Sequence, residues 1–317
     1  MAFGADEEVW GKKLLPEVRR NLATIARTIA AHEPVSMLVR NDERAIAADL
    51  VGDGVELIVA PLDDLWIRDT GPVFVATEQG DRAAVNFNFN GWGKKQGFAR
   101  DARVADLVSE RAGVQRRQTR LVLEGGGIEV DGLGTAIITE SCVLNSNRNP
   151  GLTKADCEAE LESLLGLEKI IWLPGVKGKD ITDGHADFYA RFASPGVVVA
   201  GYDADPNSFD HAVTKKHISI LKAATDATGH RLDVVILEAP SKVRPKYDRV
   251  DFAAGYLNFY VCNNAVIAPE FGDAAADRAA RDTLTQLFPD RTVYQINIDG
   301  IAAGGGGIHC ATQQEPA

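Results

Sequence analysis

Leu14, Val18, Leu22, Ile25 and Ile29 recur at steps of four, four, three and four. That spacing lines one stripe of a helix and predicts an amphipathic helix from Asp6 to about Ala31. The pattern then shortens. Runs such as Val35-Ser36-Met37-Leu38-Val39 and Val55-Glu56-Leu57-Ile58-Val59-Ala60 are too short for buried helices and rich in β-branched residues, so they predict strands. Further strands are predicted over 73–75, 120–123, 136–139, 169–173, 196–200, 233–237, 257–261, 265–268 and 292–298. Helices are predicted over 102–111, 154–165, 211–227 and 274–287. Strands and helices in alternation make this an α/β chain. No long Pro/Ser-rich linker interrupts it, so residues 1–317 are expected to form a single domain.

Four loops carry a polar residue beside glycine near the end of an apolar run. They are Arg68-Asp69-Thr70-Gly71, Glu124-Gly125-Gly126-Gly127, Gly184-His185-Ala186-Asp187 and Gly304 to Gly307 followed by Ile308-His309-Cys310. The marked residues fall about 60 residues apart, with a double interval between His185 and Cys310. The chain therefore reads as five similar units of about 60 residues, as in a propeller or stacked array, where equivalent loops gather at one end of an axis. Coincidence among four chosen marks is the competing reading. The unmarked unit should peak near 238–256, where no comparable motif stands.

Charge and composition narrow the class. The net charge of −11 argues against a nucleic-acid partner, because phosphate backbones need clustered cations. It mildly favours a cationic small molecule. The start, Met1 to Glu8, lacks the basic and then apolar pattern of a signal peptide, and no apolar run is long enough to span a bilayer. Cys142, Cys157, Cys262 and Cys310 are sparse and irregularly spaced, which points to a reducing compartment, the cytoplasm, and to no zinc site.

Cys310 has the setting of a nucleophile, because four glycines fit where backbone passes close to a ligand or leaves N–H groups free. A buried, inert thiol near a flexible end is the alternative. The other three cysteines have no such setting and read as structural. His185 and Asp187, two residues apart, suit a general acid–base and its supporting carboxylate on one side of a strand. A solvated loop histidine is as good a reading in isolation. His309 would face away from Cys310 in extended backbone and reads as structural. Asp69 and Glu124 can accept paired hydrogen bonds from a planar guanidinium, or be ordinary loop acids. Trp66 and Trp92 can wall a cationic or alkyl ligand, or belong to the core. Together these residues offer a thiol, an imidazole and three acids. Neither glycine run has the spacing of a dinucleotide or phosphate loop.

WIRDTGP at 66–72, FNGWGKK at 89–95, LEGGGIEVDGLGT at 123–135 and NRNPGL at 147–152 resemble segments of the agmatine deiminases, guanidino-modifying enzymes of pentein fold. TDGHADFYARF at 182–192, NFY at 258–260, APEFGD at 268–273 and GGGGIHCATQQEPA at 304–317 continue the resemblance in order. It implies a five-bladed α/β propeller. Cys310 would attack the guanidinium carbon. His185 would protonate departing ammonia and then activate water. Asp69, Glu124 and Asp187 would hold the guanidinium, with Asp187 also supporting His185. No metal or cofactor is implied. The implied reaction is agmatine plus water to N-carbamoylputrescine plus ammonia through a covalent thiouronium, a step of polyamine and putrescine synthesis. A homo-oligomer is compatible with the family. Relative to its pattern, the first blade is expected to lack its first strand, and the stretch from Ala239 to Ala254 matches poorly.

Two alternatives stay open at this level. A deiminase of arginine or peptidyl arginine would want a cation for the substrate carboxylate, and Arg148, Arg191 and Lys94 lie near the motifs. A non-catalytic pentein that binds a macromolecule would not need the thiol, imidazole and acids together.

Overall fold

The computed structural model describes residues 1–76, 80–249 and 252–316. It contains two compact units, Met1–Ile67 with Leu237–Gln313, and Arg68–Ile236 with Gln314–Ala317. Both are α/β, and the described residues form five small sheets.

In the first unit, α1 (Glu7–Ala30) is capped by the Asp6 side chain and buries Val18, Leu22, Ile25 and Ile29, the stripe read from the sequence. It packs against β1 (Val35–Val39), which pairs in parallel with β2 (Val55–Val59) through α2 (Arg44–Val51). This sheet has two strands, extended by an isolated bridge from Ala2 to Leu38. The other sheet of the unit joins β12 (Tyr260–Cys262) antiparallel to β13 (Ala265–Glu270). β13 then pairs in parallel with β14 (Thr292–Asn297) across α6 (Ala274–Leu287).

The second unit repeats that hairpin–helix–strand plan three times. β3 (Val73–Ala76) and β4 (Arg82–Asn86) are antiparallel, and β5 (Gln115–Gln118) returns parallel to β4 after α3 (Val104–Ala112). β6 (Ile128–Val130), β7 (Thr135–Thr139), α4 (Lys154–Leu165) and β8 (Lys169–Leu173) follow the same order. So do β9 (Ala190–Ser194), β10 (Val197–Tyr202), α5 (His211–Ala223) and β11 (Asp233–Glu238). The hairpin plus parallel return is what makes each sheet central-strand-buried: all five residues of β7 are inaccessible, between core faces on both sides.

The structure departs from the sequence pattern in definite places. The apolar run 120–123 is not a strand. Its Leu121 and Leu123 are buried core residues, while the ladder is made by the polar β5 just before it. Strands β4, β6 and β9 and helix α2 carry too little periodicity to have been predicted. The strand expected over 257–261 begins only at Tyr260, and the helix expected to reach 227 stops at Ala223. No helix among the described residues is long and apolar enough to cross a membrane.

Between β6 and β9 lies a buried ion pair. Arg191 Nε donates to Glu129 Oε2 at 2.8 Å, and the other Glu129 oxygen accepts the Phe192 N–H at 2.9 Å. Removing one partner of a buried pair strands the other without its counter-charge. Glu129→Ala is therefore expected to cost about 3 kcal/mol, seen as a lower urea midpoint with an unchanged slope. A midpoint equal to wild type would mean that Glu129 holds nothing there.

Candidate active site

In the second unit three loops, each leading into a sheet, meet around Gly126. A Cβ added at Gly126 would lie 2.7 Å from His185 Nδ1, 2.9 Å from Asp69 Oδ1 and 3.2 Å from Asp187 Oδ2. Only a residue without a side chain lets these groups approach so closely. Asp69 sits in the helical turn Ile67–Thr70 before β3. One of its oxygens accepts the Trp92 Nε1–H at 2.9 Å and the other accepts the Gly126 N–H at 3.1 Å. Trp92 itself is buried and has a positive φ of 53°. Its indole edge is thus aimed at the carboxylate, an anchor for Asp69.

Glu124 precedes β6 and is fully buried. Its Oε2 lies 3.1 Å from His185 Nε2, and Arg148 Nε donates to both of its oxygens at 2.9 and 3.0 Å. Arg148 also donates to Asp183 Oδ2 at 2.8 Å and to the Thr182 carbonyl at 2.8 Å. The loop that presents His185 is fixed by hydroxyls. Thr139 Oγ1 donates to the Gly184 carbonyl and Ser141 Oγ to the Asp183 carbonyl, each at 2.6 Å, while the His185 N–H reaches Thr182 Oγ1. Asp183 adopts φ 64°, which costs energy for a residue with a Cβ and is held by these surroundings.

The charges are mutually supporting. Burial pulls the His185 imidazolium down, but the Asp69 charge and the contacts with Cys142 and Glu124 outweigh it, so the ring is held protonated well above its ordinary range. Asp69 lies 3.7 Å from Nδ1, a charge contact rather than a hydrogen bond. Burial drives the Asp69 carboxyl up to about 6, with His185 opposing and Glu124 and Asp187 adding to the rise. Burial also pushes Glu124 up, but His185 and Arg148 together leave it below its ordinary value. At neutral pH the surroundings thus favour an imidazolium between two carboxylates. Asp183, pushed up by burial, is brought down to about 2 by Lys95, Asn147 and Arg148.

In the first unit the glycine run packs against bulk. A Cβ at Gly304 would meet the Trp10 ring at 2.1 Å, one at Gly306 the Trp66 ring at 2.3 Å, and one at Gly307 Asn258 Oδ1 at 2.5 Å. Trp66 and Trp10 lie 5.7 Å apart between ring centroids, both buried. Cys310 is buried in the turn that follows. Its N–H donates to Asn258 Oδ1 and Asn258 Nδ2 donates to its Sγ, both at 3.2 Å.

These placements refine the sequence reading. Asp69, Glu124, His185 and Asp187 come together. Asp187 follows His185 in the 3-10 turn Ala186–Phe188, not along a strand as expected, since β9 begins only at Ala190, and both side chains lie beside Gly126. Trp66 packs on glycine backbone, and the glycines serve close packing. His309 is buried in a turn, its N–H bonded to the Asn258 carbonyl. Of the cations considered for a substrate carboxylate, Arg148 and Arg191 are tied to Glu124 and Glu129, and Lys94 is exposed. Three residues went unmarked: Arg148 as a site component, Cys142 and Asn258. Cys142 Sγ lies 3.5 Å from Glu124 Oε2, and burial, then the Glu124 charge, push its thiol up. Glu124, Cys142 and His185 have the donor types of a metal site. With Cys142 and His185 favoured in their protonated forms and Arg148 on Glu124, the surroundings favour protons over a cation. The asparagine of NFY could have been flagged by its place, just before a sheet like the other marked loops.

A family model for the Porphyromonas-type peptidyl-arginine deiminases matches residues 1–316. A protein of Streptomyces avermitilis is 43% identical over 311 residues, covering 95% of this chain and 89% of its own length. The agmatine deiminase of Ectopseudomonas mendocina is 37% identical, covering 92% of this chain and 86% of its own. Among solved structures, an agmatine deiminase of Enterococcus faecalis superposes with a TM-score of 0.92 at 31% identity, covering 100% of this chain and 92% of its own.

The Asp69 charge is the strongest influence raising His185. Removing it in Asp69→Asn takes away an anion that favours the imidazolium, so the ring should lose its proton at lower pH than in wild type. Imidazole resonances followed by NMR across pH would show that downward displacement. Superimposable titrations would assign the imidazolium to Glu124 alone.

Proposed function

The chain belongs to the Porphyromonas-type peptidyl-arginine deiminase family, with agmatine deiminases among its relatives, and on that premise we propose that it hydrolyses agmatine to N-carbamoylputrescine and ammonia. The observation that carries this reading is the gathering of Asp69, Glu124, Asp187 and a protonated His185 around Gly126. Carboxylates so placed suit a planar cation and would repel an anion.

Cys310 is assigned the nucleophile's role and His185 that of acid and base. The thiolate adds to the guanidinium carbon. The C–N bond to the departing nitrogen then breaks as His185 gives that nitrogen its proton, and ammonia leaves a thiouronium on Cys310. His185, now neutral, takes a proton from water as the water oxygen bonds to the same carbon. Collapse breaks the C–S bond and returns the thiolate as the carbonyl forms, and the hydroxyl proton passes to solvent, where the released ammonia takes it up as ammonium. An imidazolium held well above its ordinary range suits the first proton transfer, because the acid form is present before the chemistry starts. Asp69 and Glu124 hold that imidazolium, and with Asp187 are assigned to the guanidinium.

Agmatine is favoured over arginine because Arg148 and Arg191, the buried cations nearest the motifs, already have carboxylate partners within the protein. We read residues 1–317 as one catalytic domain and the five sheets as blades of a five-bladed pentein propeller. The repeated hairpin–helix–strand plan supports this, as does the reach of the family model over nearly the whole chain. Four free cysteines are in keeping with a cytoplasmic address.

Ammonia release from agmatine, arginine and a blocked arginine peptide, with wild type beside Cys310→Ala, tests the proposal. Agmatine should be the preferred substrate, and the variant should lose at least about a thousandfold in rate. Preference for arginine would overturn the substrate. Full activity in Cys310→Ala would overturn the nucleophile.

A further inference from the structure

Backbone strain among the described residues gathers around one contact. Five residues other than glycine have positive φ: Asn88 at 56°, Trp92 at 53°, Lys94 at 65°, Asp183 at 64° and Asn264 at 61°. Three of them lie in the loop after β4, and Asp183 lies in the loop that presents His185. Asparagine visits this region readily, but tryptophan and lysine carry a side chain that resists it. Such conformations persist only where the surroundings over-determine them.

The loop after β4 is tied at three points. Asn88 Nδ2 donates to the carbonyls of Thr119 and Leu121, each at 2.9 Å. Asn90 Nδ2 donates to the Asn147 carbonyl at 3.0 Å, and its Oδ1 accepts the Gly93 N–H at 2.7 Å. Lys95 closes the loop. Its ammonium donates to the Ile181 carbonyl at 2.9 Å and lies 2.8 Å from Asp183 Oδ2. The ammonium thus joins one strained loop to the other. Between the last two ties stands Trp92, whose indole N–H reaches Asp69 Oδ2 at 2.9 Å. The Phe89 ring packs perpendicular to that indole at 5.0 Å.

Lys95 differs from the other ties in its surroundings. Its side chain is 32% exposed, against 1% for Asp183. Replacing it opens no hole in the core, and Asp183 keeps Arg148 and Asn147. What is lost is the restraint on backbone that relaxes away from positive φ at Trp92 and Lys94 when released.

We propose that Lys95 is a positioning residue for Asp69: by tying the two strained loops together it keeps the Trp92 indole on the carboxylate. The consequence for binding rests on the reading of Asp69 as a guanidinium ligand, whereas the tie itself does not. With the indole in place, one Asp69 oxygen is fixed by Trp92 and the other by the Gly126 N–H. Without it the carboxylate is held on one side only, and a planar cation meets a less ordered partner. A lysine that only added surface charge would leave the indole where it is.

The test is solvent exchange of the indole N–H groups, followed by NMR on the full-length protein carrying nitrogen-labelled tryptophan. Trp92→Phe identifies the Trp92 signal. Trp10 and Trp172, whose indoles donate to Asp64 and Glu158, report whether each unit remains folded. Lys95→Met removes the ammonium and keeps the stem, and Lys95→Arg keeps the cation. In Lys95→Met the Trp92 indole should exchange at least about tenfold faster than in wild type, with both reporters unchanged. KM for agmatine should rise about fivefold or more while kcat changes by less than about threefold. Lys95→Arg should fall between wild type and Lys95→Met in both quantities. If the reporters also exchange faster in Lys95→Met, Lys95→Gln carries the test with the same expectations. An unchanged Trp92 exchange rate in a variant with protected reporters would overturn the tie. Faster exchange with an unchanged KM would overturn the assignment of Asp69 to the guanidinium and leave the tie standing.

Discussion

The second unit depends on how it buries the Glu124 carboxylate. A carboxylate taken out of water is expensive unless its partners replace the lost hydration. Glu124 gets Arg148 on one side and the His185 ring on the other, with the Cys142 thiol completing the surroundings. Arg148 in turn is fully buried and needs Asp183, and Asp183 needs Lys95 and Asn147. The chain of charges runs from the protein edge to the imidazole, and each member is affordable only because its neighbours are present. Beside such a cluster of carboxylates a planar cation is favoured and an anion disfavoured. The same dependence explains why Arg148 is scaffold: taking it for a substrate carboxylate would leave Glu124 and Asp183 uncompensated.

Much of this was legible in the sequence where one physical pattern dominates. The helix Lys154–Leu165 is bounded by Thr153, whose capping box with Asp156 fixes its start, and by Gly166 in a left-handed cap. The strand Lys169–Leu173 is a compact apolar run. The hairpin strands were harder to read. β6 has three residues, and β5 is the polar Gln-Arg-Arg-Gln at a sheet edge, where partner geometry decides the fold and hydrophobicity says little. The neighbouring Leu121-Val122-Leu123 drew the expectation of a strand because it is apolar. Burial alone does not make a ladder.

The same distinction governs the site. Charged or nucleophilic residues beside glycines announced four of the loops. The chemistry of His185 and Asp187 was visible in their types, but the 3-10 turn that brings them together was not, because a strand and a tight turn can both follow a glycine. In the sequence, the four glycines before Cys310 point to backbone that passes close to a ligand. Three of them instead accommodate Trp10, Trp66 and Asn258. A glycine states that something lies close, and only the packed structure says what.

Asn258 carries that argument one step further. In the second unit, the loops entering β3, β6 and β9 supply ionisable groups whose charges depend on one another. In the first, the loop entering β12 supplies an uncharged amide that bonds a cysteine from the turn after β14. An amide can donate to sulfur while adding no charge. Its neutrality also hides it in the sequence, where charged side chains beside glycines stand out and an amide does not.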